Sequence, residues 1–266
     1  SMIEFFNPLQ WEKTMTELNS TKPTSKLNFA RIFAVLFQPR RTFTEIAGEA
    51  GSTWFTPMLA LSLSALLSVV VSGYLTSRAA MMGEISLPPD WQYWTPDMQN
   101  NYMQAQQSMQ GPVFVYVIPF VSAFVGLWLG WLIFSGLLHL GSTLLGGRGS
   151  MQSALNVVGW AYLPFVVRDL LRVIYMLLAG HAIVSAGLSG FASNAAFWAQ
   201  ILSRTDLFFL WSAILLVIGL GLSDGLSRSK SIAGVVIVLL LLLLVQAGFG
   251  ALVSGVGGMA SQNPIF

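Results

Sequence analysis

The sequence contains no cysteine and only two histidines among its 266 residues. Without cysteine there can be no disulfide, no thiolate metal ligand and no thiol nucleophile. Two histidines also leave little material for a metal centre or for general acid–base catalysis. The composition therefore predicts no metal site, no cofactor and no enzymatic activity.

Charged residues are equally scarce. Asp, Glu, Lys and Arg make up 9% of the chain, whereas a soluble globular domain typically carries about 25%. Hydrophobic residues make up 55%, and the mean hydropathy is +0.68. So little charge cannot cover a water-exposed surface, which excludes a soluble enzyme, a nucleic-acid-binding module and a secreted disulfide scaffold. The sequence predicts an integral membrane protein.

Five apolar runs approach the length of helix, about 20 residues, that crosses a bilayer. They are residues 54–77, 113–140, 154–179, 207–222 and 232–253. We therefore predict an all-α polytopic membrane protein with five transmembrane helices. The predicted organisation is an N-terminal segment over 1–53, a transmembrane domain over 54–254 with an external helical loop at 78–111, and a tail over 255–266.

Lys and Arg concentrate on one predicted side of the membrane. That side carries Lys13, Lys22, Lys26, Arg31, Arg40 and Arg41 before the first run, Arg148 after the second, and Arg228 and Lys230 after the fourth. The positive-inside rule then places the N-terminus in the cytoplasm. After five crossings the C-terminal tail lies outside.

The N-terminal segment contains an amphipathic pattern. Apolar residues recur at helical spacing at Phe29, Ile32, Phe33, Leu36 and Phe37. They are flanked by basic residues, namely Lys26, Arg31, Arg40 and Arg41. One interpretation is a helix in the membrane plane that binds anionic lipid, and the other is a helix that packs beneath the bundle.

Two further helices are predicted outside the apolar runs. Pro39 should end the amphipathic helix, and Thr42 with Glu45 has the spacing of a capping box, which predicts a second short helix beginning at Thr42. In the loop over 78–111, Thr95-Pro96-Asp97 predicts a helix that runs to about Gln110. We expect this helix to lie over the outer mouth of the bundle.

Three ionisable residues, Arg168, Asp169 and Arg172, interrupt the third apolar run. Such groups are costly inside a membrane and need partners or water. Pro164, one turn earlier, removes a backbone donor and can open a kink. One interpretation is a pocket that attracts a lipid phosphate or a carboxylate. The other is structural, with Asp169 paired to Arg172 and Arg168 reaching the outer headgroups.

Glycine spacing allows close helix approach at two places, Gly126 with Gly130 and Gly221 with Gly225. Each pair is either packing within one bundle or a seam between copies in a homo-oligomer. The glycine-rich stretch 146–150 lacks the Lys-Ser/Thr ending of a phosphate loop, so it is predicted to be a tight turn.

Two stretches carry a family resemblance. The first, residues 36–46, reads LFQPRRTFTEI. The second reads GGRGSMQSAL over residues 146–155, followed by GWAYLP over residues 159–164. These segments resemble the region before the first span and the turn into the third span of the prokaryotic branch of the Yip1 family. The resemblance covers about residues 30–255.

This resemblance implies a non-catalytic protein of the prokaryotic plasma membrane. Eukaryotic members bind Rab GTPases, but their Asp-Leu-Tyr-Gly-Pro motif is absent here, and some prokaryotic members accompany ABC-type export systems. The leading functional prediction is an organiser or accessory partner that binds membrane lipids or other membrane proteins, such as an ABC-type transporter. The alternative is a small transporter or channel with a polar site on the third span.

Overall fold

The computed structural model describes residues 27–49, 51–83, 87–88, 90–183, 201–202 and 205–262, with side chains described up to residue 246 and at 248. Lys26 and the predicted linker before it lie outside the described residues. Throughout the described ranges the regular elements are helical, which confirms the all-α prediction.

Nine α-helices are described along these ranges. They are α1 (Ala30–Phe37), α2 (Pro39–Gly48), α3 (Phe55–Met81), α4 (Pro96–Met109), α5 (Ile118–Leu144), α6 (Met151–Ala161), α7 (Leu163–Ala179), α8 (Leu207–Asp224) and α9 (Arg228–Gln262). A short 3₁₀ turn, Trp91–Tyr93, precedes α4, and a π-helical turn, Val113–Val117, precedes α5.

Four segments of the described chain are long and apolar enough to cross a membrane. They are Phe55–Met81, Val113–Leu144, Leu207–Asp224 and Arg228–Gln246. They agree with four of the five predicted runs, and they support a membrane protein. The third predicted run is instead divided between α6 and α7.

The division occurs at Tyr162, just before Pro164. Because proline has no N–H, the helical ladder cannot continue through it. The Phe165 N–H turns back to the Tyr162 carbonyl at 2.9 Å, and the Ala161 carbonyl accepts from Ser212 Oγ on α8 at 2.8 Å. The break is therefore satisfied by a neighbouring helix, as buried backbone groups require.

Helices α6 and α7 together run along the length of α8. The backbone N–H of Arg148, just before α6, donates to the carbonyl of Asp224 at the end of α8. Arg168 on α7 faces Asp206, which precedes α8. A fifth membrane crossing by this helix pair stays a prediction.

Helices α1 and α2 pack against one end of the bundle, which we call the proximal end; the opposite end is the distal end. Val35 and Phe43 are buried there with Trp160 in the main core. Gly219 on α8 allows the close approach, because a Cβ at this position would lie 3.0 Å from Phe43 Cε1 and 2.7 Å from Val157 Cγ1. Helices α1 and α2 are thus part of the folded core.

The amphipathic helix α1 uses its two sides differently. Ile32, Val35 and Leu36 pack on the core, whereas the side chains on the other side are largely exposed: Phe29 (52%), Phe33 (70%) and Phe37 (75%). Packing beneath the bundle is therefore observed for one side. The membrane-plane position of the other side stays a prediction.

Helix α2 begins earlier than the sequence pattern suggested. It starts at Pro39, not at Thr42. Thr42 Oγ1 donates to the Gln38 carbonyl at 3.1 Å, and Glu45 pairs with Arg41 at 3.1 Å, so the predicted capping box is wrong. The reason is that proline suits the first helical position, where its missing N–H costs nothing.

The helix of the loop, α4, begins as predicted, with Thr95 Oγ1 accepting from the Met98 N–H at 3.4 Å. Its Tyr102 ring packs edge-on against Trp91 and Trp94, with centroids 5.5 Å apart in both pairs. The predicted position of α4 over the mouth of the bundle stays a prediction.

The two glycine pairs have different surroundings. Gly225 ends α8 with a φ of +67°, and a Cβ at Gly221 would lie 3.1 Å from Ser231 Oγ on α9. This pair therefore serves packing within the bundle. Gly126 and Gly130 are exposed on α5, and a Cβ added at either would meet no described atom within 4 Å. A seam between copies stays a prediction at this second pair.

Candidate anion site in the distal half of the bundle

The ionisable residues of the third run meet a fourth, Asp206, in the distal half. Arg168 Nε lies 3.2 Å from Asp169 Oδ1, and its Nη1 lies 3.6 Å from Asp206 Oδ2. Arg172 Nη2 lies 3.7 Å from the same Asp206 oxygen. Asp206 also caps α8 by accepting from the Phe209 N–H at 2.8 Å. One carboxylate therefore both begins a helix and bridges two guanidinium groups.

The predicted pairing of Asp169 with Arg172 is wrong. Asp169 pairs with its neighbour Arg168, and its other oxygen accepts from Ser64 Oγ on α3 at 3.4 Å. Arg172 pairs with Asp206 instead. The physical reason is that α7 lies between two helices, so Asp169 faces α3 while Arg172 faces the start of α8. Arg168 has two carboxylate partners and so does not simply reach the headgroups.

A cavity of about 450 Å³, which we call the distal pocket, opens beside this cluster. Its polar lining comes from Arg168, Arg172 and Gln246, with the Tyr162 side chain at the helix break. The other lining residues are apolar: Phe134, Phe165, Phe209, Leu239, Leu242 and Leu243. The volume lies within the range of about 300–1,000 Å³ that is usual for small-molecule sites.

The charged residues that line the distal pocket are both positive. The lining residues include Arg168 and Arg172 but neither Asp169 nor Asp206. The two contacts to Asp206, at 3.6 and 3.7 Å, are longer than hydrogen bonds. Each guanidinium carries five N–H donors, so donors remain for a further acceptor. Phosphate and carboxylate oxygens suit such planar forks.

Pro164 shapes the distal pocket without lining it. It is buried at the start of α7 and is absent from the pocket lining. By interrupting the helix, however, it separates Tyr162 from the regular turns of α7, and both Tyr162 and Phe165 line the pocket. The Arg168 guanidinium lies over the Phe165 ring at 4.7 Å from the centroid, a cation–π contact that orients it.

The basic residues predicted for the membrane surface differ in their partners. Arg31 forms a bidentate pair with Glu49, at 2.5 and 3.2 Å, and lies over the Trp160 ring at 5.9 Å. Arg41 pairs with Glu45. Arg40 is exposed and has no ion pair within the part of the chain that the structure describes. Lipid contact stays a prediction for these residues.

Two polar residues that matter structurally were not identified from the sequence. Asn156 is buried on α6, where its Oδ1 accepts from the N–H groups of Thr53 and Trp54 at 2.9 and 3.2 Å, so it holds the start of α3. Asp224 is buried at the end of α8 and accepts from Ser142 Oγ and Ser223 Oγ. For Asp206 a signal existed, because an Asp directly before an apolar run is a typical N-cap.

The comparisons with known proteins agree with the residues that carried the resemblance. The family model of the Yip1 domain matches residues 33–250. An uncharacterized protein of Methanocaldococcus jannaschii is 34% identical over 67 residues, which are 25% of this chain and 48% of that protein. The chain therefore spans about half the length of this curated relative. No solved structure matches the chain. The predicted family is confirmed, and the chain belongs to the Yip1 domain family.

Proposed function

We propose that this protein is a non-catalytic Yip1 domain protein that holds an amphipathic anion in the distal pocket. The ligand is a lipid phosphate or a long-chain carboxylate. In this role the protein acts in the plasma membrane as an organiser or as an accessory partner of export machinery, such as an ABC-type transporter. The observation that carries the proposal is the pair of arginines, Arg168 and Arg172, that lines an otherwise largely apolar cavity.

The composition of the pocket wall supports an amphipathic ligand over a small polar one. Leu239, Leu242 and Leu243 of α9 form an apolar wall, which suits an acyl chain but offers a polar solute no hydrogen-bonding side chain. A water-soluble solute would gain little from this wall. The same wall favours lipid binding over the alternative of a small transporter or channel, which would need polar lining from several helices.

Loss of either guanidinium should weaken anion binding. For Arg168→Gln and Arg172→Gln we expect about tenfold weaker retention, since one charge-assisted contact is lost and tenfold corresponds to about 1.4 kcal/mol. Native mass spectrometry of the detergent-solubilised protein, incubated with phosphatidylglycerol or with oleate, measures this retention. The two probes distinguish a lipid phosphate from a carboxylate.

Arg78→Gln is the matched control, because Arg78 is an exposed arginine near the distal end of α3 that does not line the pocket. It should leave retention unchanged, and the melting temperatures of all three variants should show that they fold. Equal retention of both probes by the wild type and by both pocket variants would contradict the proposal.

The proposed orientation places the proximal end in the cytoplasm. The chain has no cysteine, so single cysteines report their own position. Ser229→Cys at the proximal end should react with a membrane-impermeant thiol reagent only after cells are permeabilised, whereas Ser108→Cys on α4 should react in intact cells. Both serines are exposed. The reverse pattern would mean that the orientation is inverted.

A further inference from the structure

A second concave surface lies between α8 and α9, nearer the proximal end. It has a volume of about 710 Å³, and we call it the proximal groove. Its walls are almost entirely aliphatic, with Ile214 and Val217 of α8 facing Val235 and Val236 of α9 among the lining residues. It shares Leu239 with the distal pocket, but it shares none of that pocket's polar residues.

The groove has one charged end. Arg40 from α2 and Arg228, the first residue of α9, line it at the proximal end. Both side chains are exposed, and neither has an ion-pair partner among the residues that the structure describes. Arg41, the next residue along α2, is by contrast paired with Glu45 at 3.1 Å. Two cations from different helices thus converge on one apolar groove, and no carboxylate among the described residues pairs with them.

The length of the groove matches one leaflet. Its lining on α8 extends from Leu210 to Leu222, a stretch that rises about 18 Å. The hydrocarbon of one leaflet is about 15 Å thick, half of a core of about 30 Å. A molecule with its phosphate at Arg40 and Arg228 would therefore place its acyl chains along the rest of the groove.

The groove is open to the side. Ile214 is 59% exposed, and Ile232 and Val236 are 42% and 45% exposed. These residues belong to two helices that are long and apolar enough to cross a membrane. A lipid in the bilayer can therefore enter laterally, whereas a water-soluble ligand would have no favourable contact along these walls.

We infer that the proximal groove binds one anionic phospholipid of the leaflet at the proximal end, with its phosphate between Arg40 and Arg228 and its acyl chains between α8 and α9. Guanidinium groups bind phosphate oxygens through paired hydrogen bonds. Since Arg40 belongs to α2, the bound lipid also connects the N-terminal helices with the last two helices of the bundle. This site is independent of the distal pocket.

The test uses the full chain in nanodiscs of phosphatidylcholine that contain a minor fraction of phosphatidylglycerol. After gentle release, native mass spectrometry counts the retained phosphatidylglycerol molecules. The double variant Arg40→Gln/Arg228→Gln should retain one phosphatidylglycerol fewer, with about tenfold weaker binding for each single variant. Arg148→Gln, which removes an exposed charge at the same end of the bundle outside the groove, should retain the wild-type number.

A second variant tests the apolar part of the site. Ile214→Trp fills the groove and keeps both arginines, so it should also retain one phosphatidylglycerol fewer. The double variant Arg168→Gln/Arg172→Gln leaves the groove intact and should still retain the phosphatidylglycerol of the groove. This result separates the inference from the proposal for the distal pocket. An unchanged lipid count in both groove variants would overturn the inference. So would a dimer mass that only these variants lose, because the groove would then hold a second copy of the chain.

Discussion

Gly149→Ala is expected to destabilise the bundle by about 3 kcal/mol, at the upper end of what overpacking usually costs. A Cβ at Gly149 would overlap the Oδ1 and Cγ atoms of Asp224. This carboxylate cannot move aside cheaply, because it is buried and accepts from Ser142 Oγ and Ser223 Oγ. The variant must either shift the turn before α6 or break these hydrogen bonds.

Thermal unfolding of the detergent-solubilised protein, followed by circular dichroism, measures the effect. Gly51→Ala is the control, because Gly51 also lies between helices and a Cβ there would meet no described atom within 4 Å. It should be neutral or slightly stabilising, since alanine has less freedom to lose on folding. Similar melting temperatures for the two variants would show that Asp224 does not restrict this turn.

Asp206→Asn is expected to tighten anion binding in the distal pocket about tenfold while lowering the stability of the protein. Asp206 is the carboxylate that bridges Arg168 and Arg172. Without it both guanidinium groups lack this counter-charge, and a bound phosphate can supply it. Because the four side chains are 14–27% exposed, we expect a stability cost of about 1–3 kcal/mol, below that of a fully buried pair.

Asp206→Asn removes the negative charge of this side chain but keeps its oxygen as the N-cap of α8. Asparagine is as good an N-cap as aspartate, so Asp206→Asn should keep the contact with the Phe209 N–H. Asp206→Ala removes the cap as well and should lower the stability by a further amount of about 0.5–2 kcal/mol. Melting curves with and without phosphatidylglycerol measure both quantities. If added lipid stabilises Asp206→Asn less than the wild type, the arginines do not bind the headgroup.

The membrane character and most of the helices could be predicted from the sequence because they depend on local pattern. Apolar runs of spanning length, the Thr95 cap and the scarcity of charge act within one segment and require no knowledge of its neighbours. The family could be predicted as well, because its motifs are short contiguous stretches. The same local reasoning pointed to Arg168 and Arg172 as candidate site residues, since charge within an apolar run is costly wherever the run lies.

The partners of those charges were decided only by the tertiary structure. Residues 169 and 206 are separated by a long stretch of chain, and sequence spacing favoured the nearer carboxylate for Arg172. The packing of α7 between α3 and α8 instead turns Asp169 toward Ser64 and brings Asp206 to Arg172. The helix break at Tyr162 is a second example. Pro164 indicates from the sequence that a helical hydrogen bond is missing. Only the packing of α8, however, places Ser212 where its hydroxyl donates to the Ala161 carbonyl. That a charge or a backbone carbonyl lacks a local partner can be read from the sequence. The group that pairs with it instead comes from whichever helix packs beside it.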